Sequence, residues 1–533
     1  MARALVCALC CLAASAWPGG GAAAQTTSTT QADHPGDLLA GKWQFSTDGG
    51  ASFSDKLSEL PPGATVLART EFLIDDPGRY AALELTHGLD SEQSCTFALN
   101  GSKIEGPPEL KTFAFKTIPG INPALLVRGT NVLTAEGYVN RQPAPSGENP
   151  LGISLVGLQS KDLKIVAGPV LGARGNDYLT VSCRTNVPCR VTVRINGSFP
   201  GGQVATRPDM PTTTWREITK SSPLGLFHQF YVDGVVGMQI GTEQVTAQTE
   251  DGLGRADMGP FTISALATPG GTLRFAAVGD ARANPADWTL LAATILKARP
   301  QFVVHAGELV RKGRQEWRWG GELFAPAAYL FASVPSFIAP GNRDEDASMT
   351  ALMFASPIGG EDWSRWQEVI GPVHLIGIDM RADWSAGGVN AQRLQQVLAN
   401  SKAKFLFAVS RYSPWSSVRS TGQDVILPLL ARYKATAMIC GQEHVYERSE
   451  PPGGVTVIVT GGGPPTTQPT QQPPTRAPYS QVTATKLHYC LFTIVAEACT
   501  IQTLTPSGDV LDARTWPARD VKAESLTTQP AER

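Results

Sequence analysis

The chain lacks the features that direct a protein to nucleic acid, to the interior of a membrane or to a structural zinc ion. Its 45 lysines and arginines are balanced by 47 acidic residues, so the formal net charge is only -2. That charge predicts neither a nucleic-acid nor an anionic-membrane partner. Beyond the first 24 residues no apolar run is long enough to cross a bilayer. No C-x-x-C pair occurs there either, which argues against a zinc site.

The N-terminus has the pattern of a secretory signal peptide. Arg3 precedes an alanine- and leucine-rich run, and three alanines at 22–24 offer a small-residue cleavage site before Gln25. We therefore expect residues 1–24 to be removed and residues 25–41 to form a flexible leader. The mature protein is expected in the periplasm or outside the cell.

Six cysteines follow the signal peptide, and an oxidising compartment permits disulfide bonds. Cys183 and Cys189 are the expected pair, because residues 186–188 have the composition of a turn between two strands. Cys490 and Cys499 flank a second apparent hairpin, whose register the sequence leaves open.

Residues 273–459 alternate short apolar runs with amphipathic segments, the pattern of an α/β layered domain. Strand-like runs fall at 273–278, 302–304, 336–339, 373–378, 404–409, 435–439 and 455–459, with helical patterns at 288–297, 389–398 and 425–433.

Polar stretches follow five of these apolar runs directly. Ligands in α/β folds bind beyond the carboxyl ends of the strands, so we expect the five stretches to form one site. They are Gly279-Asp280-Ala281-Arg282, Gly307-Glu308-Leu309-Val310-Arg311, Gly341-Asn342-Arg343-Asp344, Ser410-Arg411-Tyr412-Ser413-Pro414 and Gly441-Gln442-Glu443-His444-Val445-Tyr446-Glu447-Arg448.

In this order the stretches resemble the motifs of the calcineurin-like metallophosphoesterases, and among these the purple acid phosphatase branch. The family motifs run GDxG or GDxH, GDxxD or GDxxY, GNHD or GNHE, a lone His before Pro, and GHxHxYER. The resemblance covers residues 162–514 and implies phosphoester hydrolysis by two divalent metal ions that share a bridging carboxylate.

Carried over by position, the resemblance makes Asp280 and His444 ligands of one metal, with Glu308 in place of the bridging aspartate. Asn342 is kept for the second metal. Both histidines of that second site are replaced, by Arg411 and Gln442.

The third motif also departs from the family. Arg343 stands where the family has the histidine that stabilises the leaving group, and Asp344 follows it, so these two residues occupy the catalytic positions. We expect no metal cofactor at full occupancy. The alternative is one divalent ion (zinc, manganese or iron), weakly held by the four residual ligands Asp280, Glu308, Asn342 and His444.

Four motif positions carry arginine, namely Arg282, Arg311, Arg343 and Arg411. One interpretation is an anion site, in which guanidinium groups bind phosphate in bidentate fashion. The other is internal neutralisation, in which the arginines pair with leftover carboxylates of Asp280, Glu308, Asp344 and Glu443. The second is favoured, because buried charges must be paired for the fold to survive.

The remaining histidines and tryptophans of this part of the chain show no ligand spacing. His305, ahead of the second motif, is expected to be a core residue, and we interpret His228, His374 and His488 as structural. Trp415 could line a cleft beside the fourth motif.

A chain of 533 residues exceeds one hydrophobic core. Residues 42–160 predict a β-sandwich resembling galactose-binding-like jelly rolls, with a hairpin at Asn100-Gly101. Residues 161–268 resemble the fibronectin type III-like domain of purple acid phosphatases. The phosphoesterase domain spans 269–515, with a disordered loop at 461–478, and 516–533 is a tail.

The sequence therefore predicts an exported member of the phosphoesterase family with impaired or no catalysis, a pseudophosphatase for which binding of a phosphate-like anion stays open. Two alternatives stay open. One is an acid phosphatase-like hydrolase of phosphoesters with a reduced metal site, and the other is a surface scaffold that binds carbohydrate through the N-terminal β-sandwich.

Overall fold

The computed structural model describes most of the chain from Asp37 to Asp520. The described residues are 37–39, 42–56, 65–89, 95–110, 113–138, 151–200, 213–238, 240–263, 271–281, 284–339, 341, 343–344, 348–354, 366–418, 423–451, 454–462 and 476–520. The expected signal peptide and most of the expected leader lie outside them. None of the described helices is long and apolar enough to cross a membrane.

In the part of the N-terminal β-region that the structure describes, eight strands form a five-stranded and a three-stranded sheet. Alternate residues of both sheets point inward and form one apolar core. The predicted hairpin is confirmed, since Asn100 and Gly101 both have positive φ angles and join β4 to β5. The strands are β1 (Gln44–Ser46), β2 (Thr65–Ile74), β3 (Ala82–Thr86), β4 (Thr96–Leu99), β5 (Ser102–Ile104), β6 (Thr117–Ile121), β7 (Gly129–Tyr138) and β8 (Ser154–Leu158).

Short 3-10 turns connect several of these strands, at Pro77–Arg79, Pro108–Leu110, Pro123–Leu125 and Ser160–Asp162. Residues 37–39, expected within the leader, lie against β8: Asp37 forms a β-bridge with Val156, and the amide of Leu38 donates to the carbonyl of Leu155.

The second β-region, as far as the structure describes it, contains six strands around a core that Ala82 of β3 also joins. They are β9 (Ile165–Arg174), β10 (Tyr178–Pro200), β11 (Thr213–Ser221), β12 (Gly225–Asp233), β13 (Ile240–Gln248) and β14 (Arg255–Ile263). β10 is 23 residues long and pairs first with β9 and β12, then with β11 and β13.

The course of β10 corrects the expected turn between Cys183 and Cys189. Both cysteines lie on this one strand, whose pairing register with β12 and with β9 shifts after Arg184. Both thiols are free and buried. In the second expected hairpin, Cys499 lies opposite Ile494 rather than opposite Cys490, and these two cysteines are also free.

The described residues of the C-terminal domain form 13 strands in two sheets, the first with six strands and the second with seven. In chain order they are β15 (Leu273–Val278), β16 (Phe302–His305), β17 (Ser336–Ile338), β18 (Gln367–Ile370), β19 (Val373–Gly377), β20 (Phe405–Ser410), β21 (Ala437–Cys440), β22 (Tyr446–Ser449), β23 (Thr456–Thr460), β24 (Ser480–Ala484), β25 (Tyr489–Val495), β26 (Ala498–Leu504) and β27 (Val510–Pro517). The order is β17-β16-β15-β25-β26-β27 in the first sheet and β18-β19-β20-β21-β23-β22-β24 in the second.

The two sheets of this domain pack face to face, and helices cover their outer faces. Phe275 of the first sheet contacts Phe407 of the second and stacks on Phe302 of its own sheet, all within one core cluster. The helices are α1 (Pro285–Lys297), α2 (Glu316–Arg318), which continues into a π-helical segment (Trp319–Phe324), α3 (Ala328–Ser333), α4 (Ser348–Phe354), α5 (Val389–Asn400) and α6 (Gln423–Arg432). α1, α3 and α4 pack in a core on the first sheet, and α5 and α6 pack on the second.

The β-regions are joined to the C-terminal domain by core contacts. Leu110 and Phe113 of the first region and Val170 of the second belong to the same cluster as α1 and α3. Gln229 on β12 donates to the carbonyls of Ala351 and Leu352 in α4.

Residues 516–519, which follow the expected domain boundary at residue 515, contact the C-terminal domain. Trp516 is buried in β27, and its indole N–H donates to Thr456. The guanidinium of Arg519 donates to the carbonyls of Ala403 and Tyr433. The expected disordered loop at 461–478 falls largely on residues 463–475, which lie outside the described residues.

Candidate functional site

The five motif stretches meet at one edge of the paired sheets. Asp280 follows β15, Glu308 follows β16 and Asp344 follows β17, all in the first sheet. Arg411 follows β20 and His444 follows β21, both in the second sheet. β15, β16 and β17 run parallel, as do β20 and β21, so their carboxyl ends bring these residues together.

The backbone at these strand ends has a conformation that non-glycine residues rarely adopt. Asp280, Glu308, Gln442 and His444 all have positive φ angles, of 59°, 53°, 79° and 49°. Such strain persists only where the surrounding structure enforces it, and it clusters at functional sites. The loops therefore keep a functional-site backbone, although several of the side chains differ from the family pattern.

Arg411 joins the two buried carboxylates of the site. Its Nη1 lies 2.7 Å from Oδ1 of Asp280 and 2.9 Å from Oδ2, and its Nη2 lies 2.8 Å from Oε1 of Glu308. The side chains of Arg411 and Asp280 are each only 2% exposed. One guanidinium group thus bridges both carboxylates away from water.

Glycines of three motifs make room for this arginine. A Cβ at Gly307 would lie 2.8 Å from Cδ of Arg411, and one at Gly441 would lie 2.8 Å from Nη1. A Cβ at Gly341 would lie 3.1 Å from Cδ. The Arg411 side chain therefore occupies space that a residue larger than glycine at 307, 341 or 441 would take up.

The ion pair controls the protonation of the site. Burial alone would raise the pKa of Asp280, but the attraction of Arg411 and the hydrogen bond and charge of His444 hold it below its usual value. Burial alone would lower the pKa of Arg411, but the attraction of Asp280 and Glu308 outweighs this effect and raises the guanidinium pKa. Asp280 and Arg411 are therefore both charged at neutral pH.

A metal centre of the family type does not fit this arrangement. Asp280, Glu308 and His444 do present ligand atoms within 4.8 Å of one another. However, the Asp280 and Glu308 carboxylates are already bonded by a guanidinium group that cannot act as a ligand. A cation among them would face the charge of Arg411 at close range. Two bridged metals would in addition need the imidazoles that the motif resemblance implies at positions 411 and 442, where the chain has Arg411 and Gln442.

Asp344, which the motif places at a catalytic position, is a buried acceptor for backbone amides. Its Oδ2 accepts from the amides of Glu308 (3.1 Å) and Gly341 (2.7 Å), and its Oδ1 accepts from that of Leu309 (2.8 Å). Burial, which outweighs these hydrogen bonds, raises its pKa to about 6. Asp344 thus ties the second motif loop to the third.

Of the other three motif arginines, the two that the structure describes do not share the position of Arg411. Arg311 is half-exposed beside Glu322, with its Nε 3.6 Å from Oε1. Arg343 is exposed, and its carbonyl accepts from the amide of Gly313. Arg282 lies outside the described residues, as does the expected ligand Asn342.

The closing residues of the fifth motif hold the site together, a role that the sequence did not reveal. Glu447 accepts from the amide and the hydroxyl of Ser417, which fixes the loop after Arg411. Arg448 binds Asp512 in bidentate fashion, and Tyr446 donates to the same carboxylate at 2.6 Å. The Tyr-Glu-Arg signature was visible, but nothing in the sequence pointed to Asp512 as its partner.

The site's histidine and tryptophan neighbours are buried or packed. His305, in β16, packs against Trp288 of α1. Burial lowers the pKa of His305 to about 4. Among the described residues neither of its ring nitrogens has a hydrogen-bond partner. Trp415 packs on Tyr479, with ring centroids 5.8 Å apart, and donates to the carbonyl of Pro478.

Comparison with known proteins agrees with this architecture. Residues 273–446 match the family profile described as calcineurin-like phosphoesterase. The C-terminal part of the chain is therefore a calcineurin-like phosphoesterase domain. No curated protein has a sequence that matches this chain.

Among solved structures, a purple acid phosphatase, PPD1 from yellow lupin (Lupinus luteus) seeds, has a similar fold. It shares 14% identity over 89% of this chain and 96% of its own, with a TM-score of 0.58. At this identity the likeness shows the fold alone. GAP50 of Plasmodium, described as the anchor in the inner membrane complex, is 17% identical over 47% of this chain and 90% of its own. Its TM-score of 0.39 is too low to carry an argument.

Proposed function

We propose that this protein is a non-catalytic member of the phosphoesterase family, with a scaffold in place of a hydrolytic centre. The observation that supports this most directly is the guanidinium of Arg411 between Asp280 and Glu308. Two-metal hydrolysis depends on those carboxylates for metal ions, which activate the nucleophile and stabilise the leaving oxygen. With both carboxylates committed to an arginine, the described residues offer no equivalent activation.

An activity assay tests this proposal. The purified chain should hydrolyse an aryl phosphate no faster than buffer between pH 4 and pH 8, with or without added zinc, manganese or iron. Asp280→Ala serves as the control for contaminating phosphatases, because contaminant activity would survive this substitution. Turnover that the wild type shows and Asp280→Ala loses would refute the proposal.

The cluster of Asp280, Glu308 and His444 supports a second candidate, a hydrolase with one weakly held metal ion. In this case Arg411 would have to leave the carboxylates when metal binds. Millimolar manganese or zinc should then raise the melting temperature of the wild type and not that of His444→Ala. An equal response of the two proteins would exclude this candidate.

Anion binding by the motif arginines is a third proposal, and it rests on Arg343, whose side chain is exposed at the third motif. Phosphate that binds only the folded state should raise the melting temperature with concentration, and chloride at equal ionic strength should do so much less. Arg343→Ala should abolish that difference. Equal effects of phosphate and chloride on the wild type would favour internal neutralisation.

We further propose that the protein is exported and that its two β-regions are modules of galactose-binding-like and fibronectin type III-like type. The alanines at 22–24 support export. Carbohydrate binding by the first module is part of this proposal. Expression in a secreting host, followed by intact-mass measurement, should give a chain that begins near Gln25. A mass that retains residues 1–24 would contradict export by this route.

A further inference from the structure

A cleft lies between the β18–β19 hairpin and helix α5, at the amino end of β20. This is the opposite end of that strand from Arg411. The cleft has a volume of about 670 Å³, within the usual range of small-ligand sites. A narrower pocket lined by Trp384 and Asn390 adjoins it and shares Gln367, Arg393 and Val397 with it.

The floor of the cleft is a buried histidine whose bonds are already satisfied. Nε2 of His374 lies 3.1 Å from Oε1 of Gln367, and Nδ1 lies 2.8 Å from the hydroxyl of Ser401. The amide oxygen of Gln367 can only accept, so Nε2 carries the proton and Nδ1 accepts from Ser401. The amide nitrogen of Gln367 then keeps its two N–H groups for a ligand.

Among the described residues, the charged side chains that line the cleft are both positive. Arg393 and Lys402 line it with exposed side chains. Arg519, beneath Ser401, bonds to main-chain carbonyls and the Ser401 hydroxyl and to no carboxylate. Among the described residues no aspartate or glutamate lines the cleft. A ligand that supplies negative charge would therefore complement it.

The rest of the lining narrows the class of ligand. Gln396 and Asn400 add amide groups, which pair with hydroxyls as both donors and acceptors. Val369 and Val397 add apolar surface beside them. Amides, apolar contacts and two cations together suit a polyhydroxylated molecule with an acid group.

We propose that this cleft binds an acidic saccharide, with its carboxylate or sulfate group held by Arg393 and Lys402. The site is separate from the motif loops and does not depend on the proposed loss of catalysis.

Calorimetric titration of the full chain tests the proposal with three oligosaccharides: trigalacturonate, sulfated trigalactose and neutral trigalactose. The first two distinguish a carboxylate from a sulfate ligand, and we expect at least one of them to bind while neutral trigalactose does not. The double variant Arg393→Gln, Lys402→Gln should weaken that binding at least tenfold with an unchanged melting temperature. Lys297→Gln, Arg299→Gln, which removes the same charge from the exposed end of α1, should bind like the wild type.

Several outcomes would overturn the proposal. The proposal would be wrong if neither acidic trisaccharide bound. If the control pair weakened binding as much as the double variant does, the effect would be one of general charge. Inorganic sulfate that binds as tightly as sulfated trigalactose would leave an ion site and no saccharide site.

Discussion

Arg411 and Asp280 lie 131 positions apart in the chain, yet Nη1 of the arginine is within 2.9 Å of both carboxylate oxygens. Asp280 belongs to the first sheet and Arg411 to the second, so this ion pair links the two sheets at their shared edge. A side chain of the fold itself therefore makes this link.

Removal of Arg411 should destabilise the fold. Arg411→Ala would leave Asp280 and Glu308 buried without their cation, and breaking a buried pair in this way costs about 3 kcal/mol or more. Urea unfolding measures the loss. Arg432→Ala, at the exposed end of α6, is the control and should change the free energy of unfolding by less than about 0.5 kcal/mol. Similar values for the two variants would contradict the pairing.

Asp344→Asn should weaken the second and third motif loops. In the wild type, backbone amides donate to both carboxylate oxygens of Asp344. The asparagine replaces one of these oxygens with an NH2 group, which cannot accept, and each buried donor left unsatisfied costs about 2 kcal/mol. Hydrogen exchange at Leu309 and Gly341 should become faster. Asp383→Asn, an exposed residue that accepts from the amide of Ser385, is the control and should leave that exchange unchanged. Unchanged exchange in Asp344→Asn would show that the carboxylate does not hold these loops.

Restoring the family ligands should restore metal affinity. The combined variant Glu308→Asp, Arg411→His, Gln442→His and Arg343→His removes the blocking guanidinium, and the strained strand ends still fix the ligand directions. Zinc or manganese should bind this variant at least tenfold more tightly than the wild type, as measured by calorimetry. Activity need not return, because residues that orient the ligands also differ. A folded variant without added affinity would show that the motif alignment is wrong.

His228 should make the second β-region sensitive to acid. Burial lowers its pKa from the usual 6.5 to about 4, so the unfolded chain takes up a proton at this residue before the folded chain does. Its contribution to stability is therefore present above pH 6.5 and is lost as the pH falls towards 4. Relative to His228→Gln, the wild type should lose up to about 3 kcal/mol over that interval. A stability difference that does not change with pH would contradict a neutral buried His228.

Much of the C-terminal fold was predictable because its signals are local. Apolar runs such as 273–278 and 302–304 became β15 and β16, and the helical pattern at 389–398 became α5. The five motifs meet because each directly follows such a run. The sequence also raised internal neutralisation as an interpretation of Arg411.

Other features depend on contacts that no local pattern carries. The pairing of Arg448 with Asp512 joins residues 64 positions apart, and either residue alone looks like ordinary surface charge. The run from Cys183 to Cys189 looked like a turn because Asn186 and Pro188 favour turns. In the structure this run is part of strand β10, which pairs with β9 up to Thr185 and with β12 at Arg184 and again at Cys189. Arg411 pairs with both Asp280 and Glu308 because all three side chains are buried together, and the sequence does not show burial.

The metal content of the purified protein tests the central claim most directly. Protein prepared without chelators, in medium supplemented with zinc, manganese and iron, should contain well under one equivalent of transition metal by mass spectrometry. The Arg411→His, Gln442→His variant, prepared alongside, should contain more. Two tightly bound equivalents in the wild type would contradict the account, because Arg411 could not then lie between Asp280 and Glu308.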